Sequence, residues 1–133
     1  MKKRIQCSIS GFQGPSATLI AILDDDTGML VVAKQVEFRT LRVADDFSVV
    51  ANFDMDSCDC RFNDEHLRDS IRAYFIMQSQ GLIHIADSLA RYKPDNRIEA
   101  DKVDETGRKY RISPDVDNGQ IAVLGIVRSE EHT

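Results

Sequence analysis

Apolar residues recur at helical spacing through the middle of the chain, across residues 63–93. Steps of three and four residues place them on one stripe of a helix with 3.6 residues per turn. The stripe comprises Leu67, Ile71, Tyr74, Phe75, Leu82, Ile85, Ala86, Leu89 and Tyr92. Asn63 has a suitable side chain for a helix N-cap, and Pro94 disfavours helix in the residue before it. The pattern predicts one long central helix.

Gly81 lies within this stripe. A glycine in mid-helix costs about 1 kcal/mol relative to alanine. It could instead follow the end of a first helix and separate it from a short second element. We favour one continuous helix because the stripe keeps its phase across Gly81. Ile76 and Ile83 widen the apolar face, so these two residues and Gly81 are the positions where we expect a break or a partner contact.

Strand-like patterns lie on both sides of the central stretch. Alternating or continuous apolar runs predict strands at 2–12, 17–23, 29–33, 47–55, 97–103, 109–112 and 121–127. An acidic turn ending in Gly28 joins the second and third strands as a hairpin. A similar turn predicts a second hairpin between 97–103 and 109–112.

The order of elements indicates the fold class. Four strands, one long helix and about three strands are segregated along the chain, which predicts an α+β fold with a mainly antiparallel sheet. The helix is expected to pack across one face of that sheet. A chain of 133 residues favours a single domain spanning 1–133, with 129–133 a frayed polar tail.

Composition narrows the class of protein. The hydrophobic fraction of 42% is ordinary for a soluble globular domain. The sequence has no apolar run near the roughly 20 residues that span a bilayer, and its first residues lack the apolar core of a signal peptide. Three cysteines, an odd number without disulfide-framework spacing, favour a reducing, cytoplasmic location.

Charge argues against non-specific binding of nucleic acid, because the formal net charge is −5. A local basic patch for phosphate or nucleic acid could still form from Arg68, Arg72, Arg91, Arg108, Lys109 and Arg111. Asp64–Arg68 and Asp87–Arg91 have the i,i+4 spacing of helical ion pairs, which would occupy two of these arginines. Aromatic residues suited to base stacking are not interleaved with the basic residues.

Potential metal ligands are dense in the loop from Asp54 to His66. Cys58 and Cys60 with His66 could bind a soft metal such as zinc, with Cys7, His84 or a carboxylate as the fourth ligand. Their spacing matches no standard zinc finger. We favour an acidic surface loop leading into the helix.

The same loop also matches part of a calcium-binding EF-hand. Asp54, Asp56 and Glu65 fit its first, third and twelfth positions. Cys58 stands at a ligand position and Asp59 stands where the turn glycine belongs, so this reading is disfavoured.

Catalytic motifs are weak. Asp26-Thr27-Gly28 is the aspartic-protease triplet, but two further aspartates precede it and a hairpin turn explains it. No nucleophilic residue lies at a recognisable motif spacing from His84. The sequence contains no phosphate-loop or dinucleotide-binding motif. We therefore assign no catalytic residue and no cofactor.

The sequence favours a small non-catalytic interaction or regulatory module that acts through a protein partner or as a homodimer. One alternative is a nucleic-acid-associated accessory protein using the arginines and lysine above. A second alternative is a metal-dependent enzyme built on the 54–66 loop.

Overall fold

A computed structural model describes residues 2–38, 47–54, 58–95, 98, 100–102, 110–112 and 116–132. Its strands are β1 Lys2–Ile9, β2 Ala17–Asp24, β3 Leu30–Val36, β4 Phe47–Ala51, β5 Cys60–Arg61, β6 Ile83–Ile85, β7 Ala100–Lys102 and β8 Tyr110–Ile112. The helices are α1 Leu67–Ser79 and α2 Asn118–His132, with a first 3₁₀ helix at Asp64–His66 and a second at Asp87–Tyr92. The predicted α+β class is confirmed.

Six of the strands form one mixed sheet in the order β5-β4-β1-β2-β3-β6. The β1–β2 and β2–β3 pairs are antiparallel, as consecutive strands joined by short turns require. The β1–β4, β3–β6 and β4–β5 pairs are parallel, so the strand pairing differs in detail from a mainly antiparallel sheet. β7 and β8 pair antiparallel in a separate two-stranded sheet, as predicted for the strands of the second hairpin, and the turn between them lies outside the described residues.

The first hairpin turn forms as its sequence predicts. The Gly28 N–H donates to the carbonyl oxygen of Asp24 over 2.8 Å, and Gly28 has a φ of +77°. Asp24 Oδ1 accepts from the Asp26 N–H, and Thr27 Oγ1 accepts from the Met29 N–H. The Asp26-Thr27-Gly28 triplet thus has a structural role in closing the β2–β3 turn.

The prediction of one continuous central helix is wrong, because α1 ends at Ser79. Gly81 has a φ of +70°, and its N–H donates to the carbonyl oxygen of Gln78. The Leu82 N–H donates to the carbonyl oxygen of Met77 over 2.9 Å. This pair of bonds is a Schellman motif with glycine in the left-handed position, the C-cap alternative considered for Gly81.

The stripe beyond Gly81 belongs to other elements. Ile83 and Ile85 share one face of β6, while Leu89 and Tyr92 are buried from the second 3₁₀ helix. Every second side chain of β6 and every third side chain of the 3₁₀ helix faces the core. The sequence spacing of these apolar residues therefore resembles that of one continuous α-helix.

The beginning of α1 also differs from the prediction. The first 3₁₀ helix precedes it, and His66 holds the N-cap position without a side-chain cap bond. Asn63 contributes through its backbone: its carbonyl oxygen accepts from the His66 N–H, and its own N–H donates to His66 Nδ1 over 3.1 Å.

The predicted strand at 121–127 is wrong, because these residues form the centre of α2. All seven are buried, and a helix that is apolar all round is a buried helix. Asp117 Oδ1 accepts from the Gln120 N–H, and Gln120 Oε1 accepts from the Asp117 N–H, each over 3.0 Å. This reciprocal pair is a capping box that starts the helix. α2 continues through His132.

α2 is the helix that packs on the sheet, in place of the predicted central one. It contacts β1, β2 and β4, and α1 packs against α2. Gly125 allows a close approach, because a Cβ there would lie 2.5 Å from Cys7 Sγ of β1. The core of the described chain is therefore centred on α2.

Candidate binding pocket at the edge of the sheet

The residues proposed as soft-metal ligands are only partly brought together. Cys7 pairs in register with Val50, and Val50 with Cys60, so the two cysteines lie in one row across β1, β4 and β5. Adjacent strands are about 4.8 Å apart, which puts the Cα atoms of Cys7 and Cys60 about 10 Å apart. His84 lies on β6, at the opposite edge of the sheet from Cys60.

The three cysteines are free thiols. Cys58 Sγ donates to the carbonyl oxygen of Cys60 over 3.1 Å. Burial raises the pKa of the Cys7 thiol well above its ordinary value, and neighbouring Cys58 and Cys60 raise it further. Burial also raises the pKa of the Cys60 thiol, against an opposing effect of Arg128. Raised pKa values favour neutral thiols, whereas metal ligands must be thiolates.

His66 is occupied within its own turn. Its Nδ1 accepts from the Asn63 N–H, and its Nε2 lies 3.7 Å from Glu65 Oε1. Among the side chains that the structure describes, no group of three or more His, Cys, Asp or Glu is placed to hold a metal ion. Asp54 forms a 2.7 Å ion pair with Arg61, while Asp56 lies outside the described residues.

The predicted basic patch is represented by few described side chains. Arg68 and Arg72 are exposed, four residues apart on α1. Arg91 donates to Gln35 Oε1 over 3.1 Å and to Tyr92 Oη over 3.0 Å. It lies with Asp87 in a 3₁₀ helix, where the i,i+4 spacing of an α-helical ion pair does not apply. Arg108 and Lys109 lie outside the described residues, as does the side chain of Arg111. The side chain of Asp64, the predicted partner of Arg68, is likewise not described.

The three interface candidates have different surroundings. Ile76 lies on α1 and is 50% exposed. Gly81 forms the Schellman turn, with nothing within 4 Å of the position of a Cβ. Ile83 lies on β6 and lines a cavity that Ile76 does not reach. Of the three residues, Ile83 alone lines this cavity.

The cavity that Ile83 lines has a volume of about 280 Å³ and lies between α1, β6 and the second 3₁₀ helix. We call it the edge pocket. It is lined by Tyr74, Gln78, Ile83, His84, Ile85, Asp87, Ala90 and Lys93.

Helical spacing explains two of its walls. Tyr74 and Gln78 are four residues apart, so α1 presents both on one face. Asp87 and Ala90 are three residues apart in the second 3₁₀ helix, where side chains at that spacing eclipse, and Lys93 follows as its extended C-cap residue. α1 and the 3₁₀ helix thus each contribute one aligned pair.

The second 3₁₀ helix is held against the rest of the molecule. Arg91 and the hydroxyl of Tyr92 both donate to Gln35 Oε1, just within the end of β3. Tyr92 also packs against the backbone of Gly119, where a Cβ would collide with its ring. The wall of the edge pocket is therefore fixed by bonds to β3 and by contact with α2.

The third wall is β6, an edge strand of the described sheet. The carbonyl oxygen of Leu82 accepts from the Leu30 N–H, and the Ala86 N–H donates to the carbonyl oxygen of Val32. Alternate residues of a strand direct their backbone groups to the same side. The N–H and C=O groups of Ile83 and Ile85 therefore point away from β3, towards the outer edge.

The lining is mixed and balanced in charge. Ile83, Ile85 and Ala90 supply apolar surface, while Asp87 and Lys93 carry opposite charges. Burial raises the pKa of the Tyr74 hydroxyl above its ordinary value. The pocket thus offers a mixed lining of apolar and hydrogen-bonding groups, in which the formal charges of Asp87 and Lys93 cancel.

Ile83 and His84 were considered from the sequence as an interface and a catalytic candidate. The other lining residues were not predicted to form a site. The i,i+3 spacing of Asp87, Ala90 and Lys93 was the available signal, hidden by assigning them to an α-helix. Comparisons with protein-family models, curated proteins and solved structures give no match for this chain. Within the described ranges, neither α1 nor α2 has the length and apolarity needed to cross a membrane.

Proposed function

We propose that this protein is a small non-catalytic interaction module that holds a protein partner at the edge pocket. The observation that carries the proposal is the convergence of α1, β6 and the second 3₁₀ helix on one cavity beside an edge strand. Edge strands attract other chains unless they are covered or blunted. A preformed pocket beside such an edge supplies both backbone and side-chain contacts.

The size of the cavity supports a macromolecular partner over a cofactor. Its volume of about 280 Å³ lies just below the roughly 300–1,000 Å³ of small-molecule sites. The lining includes no serine or cysteine that could act as a nucleophile. A group of side-chain size on another protein suits this cavity better than a cofactor or a substrate undergoing reaction.

A cytoplasmic location is part of the proposal. Cys7, Cys58 and Cys60 are all free, and free thiols persist in a reducing compartment. The alternatives have less support. Nucleic acid would rely on Arg68 and Arg72 in the described chain, and a metal-dependent enzyme would rely on the 54–66 loop, where no described cluster supports it.

A selection of random linear peptides displayed on phage, performed on the purified protein, tests the proposal. Ala90→Arg is the disabling variant, because its long side chain extends from an exposed position into the edge pocket. Ser88→Arg is the matched control, since it adds the same charge on the same 3₁₀ helix at an exposed position that does not line the pocket.

We expect the wild-type protein and Ser88→Arg to enrich the same peptides, and Ala90→Arg to bind them at least about tenfold more weakly, a loss of about 1.4 kcal/mol. Circular dichroism spectra of the three proteins check that the fold is kept. Enrichment of no peptide, or equal binding to Ala90→Arg, would count against the proposal. A gel-shift titration with the variant Arg68→Ala/Arg72→Ala examines the nucleic-acid alternative in parallel.

A further inference from the structure

We propose that the ligand of the edge pocket is an extended peptide segment that pairs with the outer edge of β6 and inserts one neutral, amphipathic side chain into the cavity. This inference rests on the proposed function and specifies its ligand. Three features of the molecule carry it: the direction of the backbone groups of β6, the concave shape beside them and the balance of charge in the lining.

The backbone of β6 provides the first argument. Ile83 and Ile85 direct their N–H and C=O groups outward, and no described group accepts from or donates to them. A second strand placed alongside would satisfy these groups by continuing the sheet. This is the β-addition mode of peptide recognition, in which main-chain bonds give affinity and pockets for alternate side chains give specificity.

The shape of the edge favours a peptide over a second copy of this chain. In a twofold pairing of β6 with β6, the same surface meets itself. Because Ile83, His84 and Ile85 line the pocket of their own copy, the same β6 side chains would have to line one cavity and fill the other. A peptide strand carries side chains that project from its backbone, so it can pair with the edge and fill the cavity together.

The lining indicates the chemistry of the inserted side chain. Asp87 and Lys93 both line the cavity and have opposite charges, so a phosphate or a metal cation would be attracted by one and repelled by the other. A neutral side chain with an apolar body and a hydrogen-bonding tip complements Ile83, Ile85 and the polar residues together. Tyrosine has this character and only two rotatable side-chain bonds, which limits the entropy lost on binding.

Backbone N-methylation of a selected peptide tests the pairing without altering the protein. Each variant peptide replaces one N–H by N–CH₃, and fluorescence anisotropy measures its affinity for the wild-type protein. Because alternate residues of a strand face the same edge, affinity should fall about tenfold or more at every second position of the paired segment and change little between them.

The side chain that enters the edge pocket is tested separately, by the sequences of the selected peptides. Peptides selected on the wild-type protein should share a tyrosine or a similar neutral amphipathic residue, and its replacement by alanine should abolish the difference in binding between wild-type protein and Ala90→Arg. Enrichment of peptides with acidic clusters would overturn the inference, as would an affinity that N-methylation changes at no position. If binding still depended on the pocket, the proposed function would stand.

Self-association is the remaining outcome. Sedimentation of the wild-type protein, Ala90→Arg and Ser88→Arg should show the same monomeric species for all three. A wild-type dimer lost only in Ala90→Arg would assign the edge to a second copy of this chain and contradict the peptide ligand.

Discussion

At the residue scale, the absence of a side chain at Gly125 determines how closely α2 approaches the sheet. A Cβ at this position would lie 2.5 Å from Cys7 Sγ, whereas Val50 and Phe62 would be at ordinary contact distances of 3.7 and 3.8 Å. The fully buried Cys7 thiol therefore faces the helix backbone directly. One glycine and one cysteine together set the spacing between β1 and α2.

Gly125→Ala is expected to lower the free energy of unfolding by about 1–3 kcal/mol, because an added methyl group overpacks the interface. In the Cys7→Ala background the loss should be smaller, since the sulfur atom that collides is gone. Urea unfolding of the wild-type protein, both single variants and the double variant gives the coupling energy. Additive effects of the two substitutions would show that this contact does not set the spacing.

At the element scale, the first four strands were predicted from the sequence, whereas α2 was not. β1 to β4 were predicted because alternation or short apolar runs between turn signals distinguish strands clearly. α2 was missed because its continuous apolar run has no polar face, and periodicity alone does not separate such a helix from a buried strand. Asp117 and Gln120 carried the missing information as a capping box, but Asn118-Gly119 between them indicated a turn.

At the end of α1, the effect of Gly81→Ala on the free energy of unfolding has opposite signs for a continuous helix and for a Schellman turn. In a continuous helix, Gly81→Ala would stabilise the protein by about 1 kcal/mol. At a φ of +70°, alanine instead costs about 1–2 kcal/mol through contact of its Cβ with the following carbonyl oxygen. We expect destabilisation, measured by urea unfolding.

Gly81→Asn is the matched control for this position, because asparagine tolerates the left-handed conformation better than alanine does. It should retain more of the stability than Gly81→Ala. A more stable Gly81→Ala protein would contradict the Schellman turn and restore the continuous helix.

At the scale of the whole molecule, the fold class was predictable and the site was not. The sequence indicated α+β, and it singled out Gly81 and Ile83 as positions of interest. The sequence did not indicate that β6 pairs parallel with β3. This pairing places β6 at the opposite edge of the sheet from β4 and β5, the strands that precede it along the chain. The edge pocket exists only because that pairing places α1 and the second 3₁₀ helix on either side of a sheet edge, a long-range arrangement that local patterns do not encode.

Residue-resolved amide hydrogen exchange tests most directly whether a partner peptide pairs with the outer edge of β6. The wild-type protein would be compared with and without a saturating selected peptide. We predict slower exchange at the N–H groups of Ile83 and Ile85, with little change at His84, whose N–H faces β3. Unchanged exchange at Ile83 and Ile85, or protection centred on Arg68 and Arg72, would contradict the account.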